Sequence, residues 1–556
     1  MKSITTILVL LVLIPGILTG QIYPDKYFIA FTDKNNSPYS ITNPSEFLSQ
    51  RAIDRRVRQG ISIDLRDLPV NPAYIQGVKE VGVTIINPTK WLNGVSIQTD
   101  DPSKIAVIQA LPYVKGVVKS HVNPVDPKFE SDFFRNESFN LNPVMENLNS
   151  GRSSFDYGPS YNQIHMLNGD LLHDMGYRGE GFIIAVLDGG FLNADDIPAF
   201  DSLWMNGQIL ATRDFVKGGE LTYDTHPHGT MVLSTMGANV PGTLIGTAPK
   251  ANYLLLRSED TGSEYIIEEY NWVSAAEYAD SLGADIINSS LGYTTFPLDP
   301  DHDHTYQDMD GNTAPVTVGA DVAASRGMIV VNSAGNSGSS PWFYIGAPAD
   351  GDSVFAVGAV FSDGSYVYFS SRGPSYDGRI KPNIAAQGYD TYAADPGGSY
   401  GGASGTSFSS PVMAGMVACL WQTHPNLKNM ELLAAIEASG NQANNPDDFL
   451  GYGIPDFFEA NNLLTVIDSR IFLDDPEVSV YPNPFSDQFS IVAGRDLGTV
   501  AIDILDISGR QVYSSFIPLR EGQATGISNL DGLATGVYSL RITHSGKVIY
   551  RKIVRL

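Results

Sequence analysis

The spacing of apolar and polar positions changes three times along the chain, and each change indicates a different kind of structure. Between residues 21 and 123, short strand-like runs are mixed with amphipathic helical stretches. From residue 156 to 466, nearly all-apolar runs that end in polar residues or glycine alternate with helical patterns. From residue 467 to 556, short runs separated by turn residues replace them. This succession predicts three folded domains.

The first domain is predicted to follow the order strand, helix, helix, strand, strand, helix, strand. Its first strand is expected over residues 27–32, and a helix with a serine cap over 45–59. Apart from the extra helix, this order is a split βαβ unit, so we expect a small α+β, ferredoxin-like module. Residues 124–155 then lose all periodicity and fill with Asn, Pro, Ser and Gly. That composition predicts a linker that a protease can cut.

In the second domain, apolar strands are predicted at 182–188, 251–258, 284–292 and 328–336, with helical patterns between them. Strands that are apolar on both faces indicate a parallel sheet covered by helices on both sides, a doubly wound α/β fold. Ligands of such sheets bind at the carboxyl ends of the strands. The third domain, with several short strands separated by turn signals, is predicted to be a β-sandwich.

Residues 1–20 carry one lysine, an apolar core and a small-residue ending, which is typical of a cleaved secretory signal peptide. Export normally favours disulfides, yet the chain has a single cysteine, Cys419, and so no intrachain disulfide is available. The formal net charge of −26 would repel phosphate backbones. We therefore do not expect nucleic acid as a partner.

Three residues with complementary chemistry occur in the second domain in the order Asp188, His228, Ser407. Asp188 ends a predicted strand, whereas His228 and Ser407 each open a predicted helix. A serine hydroxyl is a weak nucleophile until an imidazole accepts its proton, and an acid must hold that imidazole in the correct tautomer. Asn336 follows another strand, where its amide could donate to a developing oxyanion together with the backbone N–H of Ser407.

These signals are weak one at a time but specific together. An aspartate at a strand end is usually a turn residue, and a serine before a helix is usually a cap. In sequence they stand as AVLDGGF around Asp188, HGTMV from His228, SAGN up to Asn336, and SGTSFSSPVMAG around Ser407. The four motifs resemble those of the subtilisin-like serine peptidases of the S8 family, which share this chain order. The resemblance covers about residues 156–466.

The resemblance implies a serine endopeptidase with Asp188, His228 and Ser407 as its triad and Asn336 as the oxyanion donor. It also implies a substrate-binding strand at Ser290, Leu291 and Gly292, which would pair with an extended peptide. No cofactor is implied for catalysis, although structural Ca²⁺ is frequent in the family. We expect the enzyme to be a monomer that acts on peptide or protein substrates.

The flanking domains resemble known companions of such enzymes. Residues 21–123 resemble the peptidase propeptide, which assists folding and blocks the cleft as an intramolecular inhibitor, so the chain would be a zymogen. Residues 467–556 resemble the type IX secretion sorting domain of Bacteroidota, with YPNPF from Tyr481 and DISGR from Asp506. The implied partner is the type IX secretion machinery, and the implied location is secreted or at the cell surface.

Two departures from the family pattern concern the histidine and aspartate motifs. Gly189 stands where Ser or Thr is usual, which we expect to loosen the hold on Asp188 slightly without abolishing activity. The second histidine of the family's motif is replaced by Met231, a position that the proton transfers do not need. His226, two residues before His228, precedes a proline and is predicted to be an exposed residue at the rim.

Two other functions use the same residues. A lipase or esterase needs glycine two residues on each side of its nucleophile, whereas Ser409 occupies one of those positions. A secreted adhesin could keep an inactive peptidase fold, although here all four catalytic positions are filled. The acidic stretch 299–312 resembles a calcium loop but lacks the closing glutamate, so we expect a solvated surface loop.

Overall fold

The computed structural model describes residues 25–121, 137–141, 153–473, 478–506, 510–528, 530, 532–544 and 547–555, with the backbone alone for 466–473, 547 and 548. The predicted signal peptide lies outside these ranges. Within them, no helix combines the length and apolar character that crossing a bilayer requires. The chain divides into two compact units, residues 1–433 with 440–455, and residues 434–439 with 456–556.

The N-terminal module has the predicted order of elements around one antiparallel sheet, β2-β3-β1-β4. Its strands and helices are β1 (Asp25–Phe31), α1 (Gln50–Gln59), α2 (Pro72–Glu80), β2 (Thr84–Thr89), β3 (Gly94–Thr99), α3 (Ser103–Gln109) and β4 (Val114–His121). The helix expected over 45–59 was wrong at its start. A 3₁₀ turn occupies Pro44–Glu46, and α1 begins only after Ser49, whose hydroxyl accepts the N–H of Ala52 at 3.2 Å.

A seven-stranded, all-parallel sheet forms the centre of the first unit, with the strand order β14-β13-β12-β11-β6-β10-β7. The predicted doubly wound α/β fold is confirmed. The sheet strands are β6 (Ile183–Asp188), β7 (Ile209–Asp214), β10 (Asn252–Arg257), β11 (Ile286–Ser289), β12 (Ile329–Ser333), β13 (Val354–Val360) and β14 (Ile384–Gln387). Strand β6 is buried along its whole length, which explains its unbroken apolar run.

Helices cover this sheet, and two of them begin at its carboxyl edge. The helices are α4 (Tyr161–His165), α5 (Gly169–Asp174), α6 (Asp201–Met205), α7 (His228–Gly237), α8 (Ile267–Leu282), α9 (Pro315–Ser325), α10 (Thr406–Thr423) and α11 (Asn429–Ala438). The remaining short strands are β5 (Ser138–Asn140), β8 (Asn239–Val240), β9 (Leu244–Ile245), β15 (Thr391–Ala394) and β16 (Tyr400–Ser404). Helices α7 and α10 present His228 and Ser407 within their first two residues.

The second unit contains the predicted C-terminal sandwich. After α12 (Phe457–Leu473), two antiparallel sheets, β17-β18-β21 and β20-β19-β22-β23, enclose one apolar core. The strands are β17 (Val478–Tyr481), β18 (Phe489–Ala493), β19 (Gly498–Leu505), β20 (Gln511–Leu519), β21 (Ala524–Ile527), β22 (Gly536–His544) and β23 (Lys547–Arg555). The alternation of buried and half-buried positions along β18 and β22 matches a sheet with one face on the core.

Candidate active site

Asp188 and His228 form a buried acid–imidazole pair. Asp188 is the last residue of β6 and is fully buried, and His228 is the first residue of α7 with 1% exposure. The Nδ1 atom of His228 lies 2.9 and 3.0 Å from the two carboxylate oxygens of Asp188. An acceptor on Nδ1 holds the proton there and leaves Nε2 as the nitrogen that can act as a base.

A glycine makes this close approach feasible. A Cβ atom at Gly229 would lie 2.4 Å from the carbonyl oxygen of Gly190 and 3.0 Å from the Cβ of Asp188. A side chain at 229 would therefore push the start of α7 away from β6. The glycine after the histidine is the local signal that the sequence offered, and its physical reason is this contact.

Ser407 is the second residue of α10, which begins at Thr406, one position earlier than the helix start predicted from the sequence. Its side chain is buried, and within the described ranges its Oγ makes no hydrogen bond. Its backbone N–H lies in the first turn of α10, where helical N–H groups have no intrahelical acceptor. The residue thus offers a hydroxyl and a backbone donor side by side.

Asn336 follows β12 and is fixed through its amide oxygen. That oxygen accepts hydrogen bonds from the backbone N–H and the hydroxyl of Thr406, at 2.8 and 2.9 Å. The Nδ2 donor consequently points away from Thr406, toward the cleft. Because Thr406 directly precedes Ser407, the same contact ties the amide to the start of α10.

Ser290, Leu291 and Gly292 continue from β11 along the edge of the cleft. The hydroxyl of Ser290 donates to the carbonyl of Ser407 at 2.9 Å, and the carbonyl of Leu291 accepts from the side chain of Asn332 at 3.0 Å. Gly292 lines a cavity of about 350 Å³ that Asn336 also lines. The structure thus brings the predicted binding strand to the same cleft as the predicted oxyanion donor.

Glu137 enters this site from the segment predicted to be a linker, and sequence reasoning missed it. Its Oε2 lies 3.0 Å from Nε2 of His228, and its Oε1 accepts a hydrogen bond from Nδ2 of Asn336 at 3.2 Å. The residues after it form β5, which pairs antiparallel with β16 just before Ser407. The carboxylate therefore occupies the space between the predicted base and the predicted oxyanion donor.

The charge of His228 is set by burial and by the two carboxylates next to it. Burial does lower its pKa, but the carboxylates of Asp188 and Glu137 outweigh burial and raise the pKa to about 10. Two full negative charges within about 3 Å exceed the partial charge of a helix end, so His228 is protonated while Glu137 is in place.

His226, predicted to be an exposed residue at the rim, is half-buried. Burial and the neighbouring positive His228 lower its pKa to about 4. Its ring centroid lies 6.3 Å from that of His228.

The structure explains why glycine stands at position 189. A Cβ there would lie 2.5 Å from Cγ2 of Thr261, while the N–H of Gly189 donates to Asp188 at 2.7 Å. The backbone thus holds the carboxylate without the usual hydroxyl.

The acidic stretch 299–312 uses its carboxylates in local turns. Asp308 accepts from Thr305, Asp310 from the N–H groups of Asn312 and Thr313, and Asp303 from the N–H of Phe296. Among the described residues, the group whose ligand atoms lie close enough for a metal ion is instead Glu259, Glu264 and Glu268, within 4.8 Å of one another.

Comparisons with known proteins agree with this architecture. The model of the subtilase family matches residues 179–453, that of the Bacteroidota peptidase S8 propeptide domain residues 26–133, and that of the secretion system C-terminal sorting domain residues 479–555. Subtilisin from Bacillus pumilus is 33% identical over 281 residues, covering 50% of this chain and 90% of that protein. The chain belongs to the subtilase family.

Two further relatives extend the comparison. Subtilisin E from Bacillus subtilis (strain 168) is 32% identical over 287 residues, covering 51% of this chain and 66% of that protein. A protein named "Thermophilic serine proteinase" from Bacillus sp. (strain AK1) is 27% identical over 384 residues, covering 68% and 81%. The resemblance of all three domains is confirmed, and the sorting domain indicates type IX secretion to the medium or the cell surface.

Proposed function

We propose that this chain is a secreted serine endopeptidase in which Asp188, His228 and Ser407 form the catalytic triad. The observation that carries the proposal is the buried Asp188–His228 pair. The Nε2 atom of His228 and the Nδ2 atom of Asn336 contact the same carboxylate, that of Glu137, so both atoms face one space. The domain limits that go with it are 1–20 for the signal peptide, 21–123 for the propeptide, 124–155 for the linker, 156–466 for the enzyme and 467–556 for the sorting domain.

The proposed reaction proceeds in two displacements once Glu137 has left the site. Ser407 Oγ attacks the substrate carbonyl carbon while its proton passes to Nε2 of His228. The carbonyl oxygen, now an oxyanion, accepts hydrogen bonds from Nδ2 of Asn336 and the N–H of Ser407. The tetrahedral intermediate collapses, His228 gives its proton to the leaving amine, and the acyl-enzyme is hydrolysed by water through the same steps. No cofactor takes part.

Covalent labelling tests this assignment directly. The processed protein is treated with a fluorophosphonate, and the labelled peptide is located by mass spectrometry alongside a casein hydrolysis assay. We expect one label, on Ser407, and loss of both label and hydrolysis in Ser407→Ala. A protein that folds but takes no label and cleaves nothing would instead be an adhesin on an inactive fold. A label on another serine would overturn the site, and turnover of esters without peptides would favour an esterase.

The N-terminal module and the strand β5 act, in this proposal, as the intramolecular inhibitor. Glu137 does two things at once: it occupies the donor side of Asn336, and it raises the pKa of His228 so that the imidazole stays protonated and cannot accept a proton. The module itself is held to the enzyme by buried charges on α8. Asp280 there contacts Arg55, Arg56 and Lys90 of the module.

The pKa of His228 shows whether Glu137 acts on the imidazole in this way. In the full-length Ser407→Ala protein, which cannot process itself, Glu137→Gln removes one of the two carboxylates next to the imidazole. We expect the pKa of His228, followed by NMR, to fall from about 10 by roughly one or two units. Glu180→Gln, a change at an exposed carboxylate, should leave it unaltered. An unchanged pKa in Glu137→Gln would exclude Glu137 as the inhibiting group.

Two further partners belong to the proposal. The sorting domain would engage the type IX secretion machinery, so deletion of 467–556 should leave the protein in the periplasm. Structural Ca²⁺ would stabilise the mature enzyme without entering the reaction; since the 299–312 carboxylates serve local turns, its ligands would have to come from elsewhere. A melting temperature that chelator does not lower would remove calcium from the proposal.

A further inference from the structure

Residues 293–311, the flanking segment, continue directly from the proposed binding strand. The N–H of Tyr293 donates to the carbonyl of Ala347 at 2.8 Å, and the carbonyl of Tyr293 accepts from the N–H of Ala347 at 3.0 Å. Three of the next residues line the cavity of about 350 Å³ that Gly292 and Asn336 also line: Thr294, Thr295 and Pro297. The position of the flanking segment therefore sets the shape of the cleft where the binding strand ends.

A buried ion pair joins the flanking segment to the helices behind it. Nε2 of His304 lies 2.5 Å from Oε1 of Glu269, and the two side chains are 8% and 0% exposed. Glu269 is in the first turn of α8, and its Oε2 accepts the N–H of Val316, in the first turn of α9, at 3.1 Å. One carboxylate therefore holds the segment to two helices.

The charges around His304 favour its protonated form. Burial lowers the pKa of its imidazole, but the carboxylate of Glu269 outweighs burial. The carboxylates of Asp308 and Asp350 act in the same direction, so the pKa lies above its usual value. The contact with Glu269 is therefore an ion pair and not only a hydrogen bond between a neutral ring and a carboxylate.

His304 is also connected to the cavity wall. Its N–H donates to the carbonyl of Thr294 at 2.8 Å, and its ring lies edge to face against the buried ring of Phe296, with centroids 5.6 Å apart. Two residues later, Tyr306 stacks on Tyr344, another residue of the wall, with ring centroids 3.8 Å apart. A displacement of His304 would therefore move the wall at two places.

We propose that His304 is a positioning residue whose ion pair with Glu269 holds the flanking segment in the arrangement that binds a peptide substrate. This proposal rests on the peptidase function proposed above and adds a residue that acts through the cavity wall. Without a donor at 304, Glu269 would keep a buried carboxylate oxygen that lacks its partner, which favours entry of water and displacement of the segment. The wall would then be in place for part of the time, and the apparent affinity for substrate falls by that fraction.

Two amide side chains that differ by one methylene test the role of His304. Glutamine can place its Nε2 donor where the imidazole has its own Nε2, whereas asparagine is too short to reach Glu269. We expect His304→Asn to raise KM of the processed enzyme for an extended peptide roughly tenfold while kcat stays within about twofold. His304→Gln should return KM to within about threefold of the wild-type value.

Two controls separate this effect from a general disturbance. His302 pairs with Asp299 at 2.8 Å inside the flanking segment, so His302→Ala removes a comparable contact without releasing the segment from the helices. Its KM should stay within about twofold of the wild-type value. A small ester, p-nitrophenyl acetate, carries an acyl group too short to reach the wall, so His304→Asn should hydrolyse it at the wild-type rate.

An unchanged KM in folded His304→Asn overturns the positioning role. A rise in KM that His304→Gln does not reverse, or an equal loss of peptide and ester hydrolysis, also overturns it, because the effect would then come from the fold as a whole. If His304→Asn does not fold, hydrogen exchange of the full-length Ser407→Ala protein decides. Slow exchange of the N–H groups of His304 and Val316 supports an anchored segment, and fast exchange overturns it.

Fluorophosphonate labelling distinguishes a failure of this proposal from a failure of the peptidase function. A wild-type protein that takes the label on Ser407, combined with an unchanged KM in His304→Asn, overturns the role of His304 and leaves the peptidase intact. A wild-type protein that takes no label and hydrolyses no peptide overturns both.

Discussion

Two buried clusters of charged groups in the same unit serve opposite purposes. One cluster, called the catalytic cluster after its proposed function, consists of Asp188, His228, Ser407, Asn336 and Glu137. The docking cluster consists of Asp67 and Asp280 with Arg55, Arg56 and Lys90, and it holds the N-terminal module to helices of the enzyme. Each surrounds a fully buried aspartate with donors from distant parts of the chain.

The two clusters differ in which of their polar groups lack a permanent partner. In the docking cluster, Asp280 contacts three cations, with Arg56 at 2.9 Å and Lys90 at 2.8 Å, so its charge is fully compensated. In the catalytic cluster, the Oγ of Ser407 makes no hydrogen bond within the described ranges, and His228 faces a carboxylate that the catalytic domain does not supply. A cluster that only holds domains together can satisfy every charge permanently, whereas a site for chemistry must keep its nucleophile uncommitted and must regain its base, here when Glu137 leaves His228.

The largest expected effect breaks the catalytic cluster. Replacing His228 with alanine removes the proposed base of the triad, and kcat of the processed enzyme should fall by about a millionfold. His226→Ala is the matched change two residues away. Because His226 takes no part in the proposed proton transfers, this change should lower kcat by less than about tenfold. Peptide hydrolysis with active-site titration measures both. If the two variants exchanged their effects, His226 would be the base.

The next effect breaks the docking cluster. Asp280→Asn leaves Arg55, Arg56 and Lys90 buried around a neutral amide, and breaking a buried ion pair from one side costs about 3–5 kcal/mol. Urea unfolding of the full-length Ser407→Ala protein should show this loss in the free energy of unfolding. In the processed enzyme the three cations are gone, so Asp280→Asn should leave kcat/KM within about twofold.

An exposed aspartate provides the control for this experiment. Asp301→Asn removes the same charge at a solvent-accessible position, and such changes usually alter stability by no more than about 0.5 kcal/mol. Equal stability of Asp280→Asn and Asp301→Asn would mean that the docking cluster does not hold the module. Lost activity in processed Asp280→Asn would mean that the two clusters are coupled.

The two clusters also differ in how far sequence reasoning reached them. Asp188, His228, Ser407 and Asn336 each stand at the end of a strand or the start of a helix, and small neighbours such as Gly229 mark the close contacts. Such signals are local. The parallel sheet was predictable for the same reason, because strands buried on both faces, such as β6, are apolar throughout.

The rest depended on contacts between distant segments. Glu137 lies in a stretch without periodicity, and only the pairing of β5 with β16 brings it to His228. That contact also helps to raise the pKa of the imidazole. Edge strand β7, Ile209–Asp214, was missed because its half-exposed positions carry a mixed pattern. The docking cluster could not be predicted either, because the sequence does not distinguish an arginine on the surface from one buried against another domain.

The smallest expected effect is a pH dependence of the contact between the N-terminal module and the enzyme. His121, the last residue of β4, is 4% exposed and its ring centroid lies 4.2 Å from that of Tyr265 in the enzyme. Burial and the nearby Lys26 and Lys119 lower its pKa to about 4, although Asp25 and Asp260 oppose this. The folded state therefore binds fewer protons than the unfolded state between about pH 4 and 6.5.

Acidification therefore lowers the free energy of unfolding. The contribution of His121 to stability is complete above about pH 6.5 and is lost as the pH falls toward 4. At pH 5 the loss amounts to about 2 kcal/mol relative to pH 7.5. Glu277, whose pKa burial raises to about 7, makes the protein more stable as the pH falls. The effect of His121 is therefore measured as a difference between two proteins that both contain Glu277. His121→Phe keeps a ring against Tyr265 without the titration. In the full-length Ser407→Ala protein it should lose about 2 kcal/mol less than its parent between pH 7.5 and 5. Identical losses in the two proteins would show that acidification weakens the domain contact through groups other than His121.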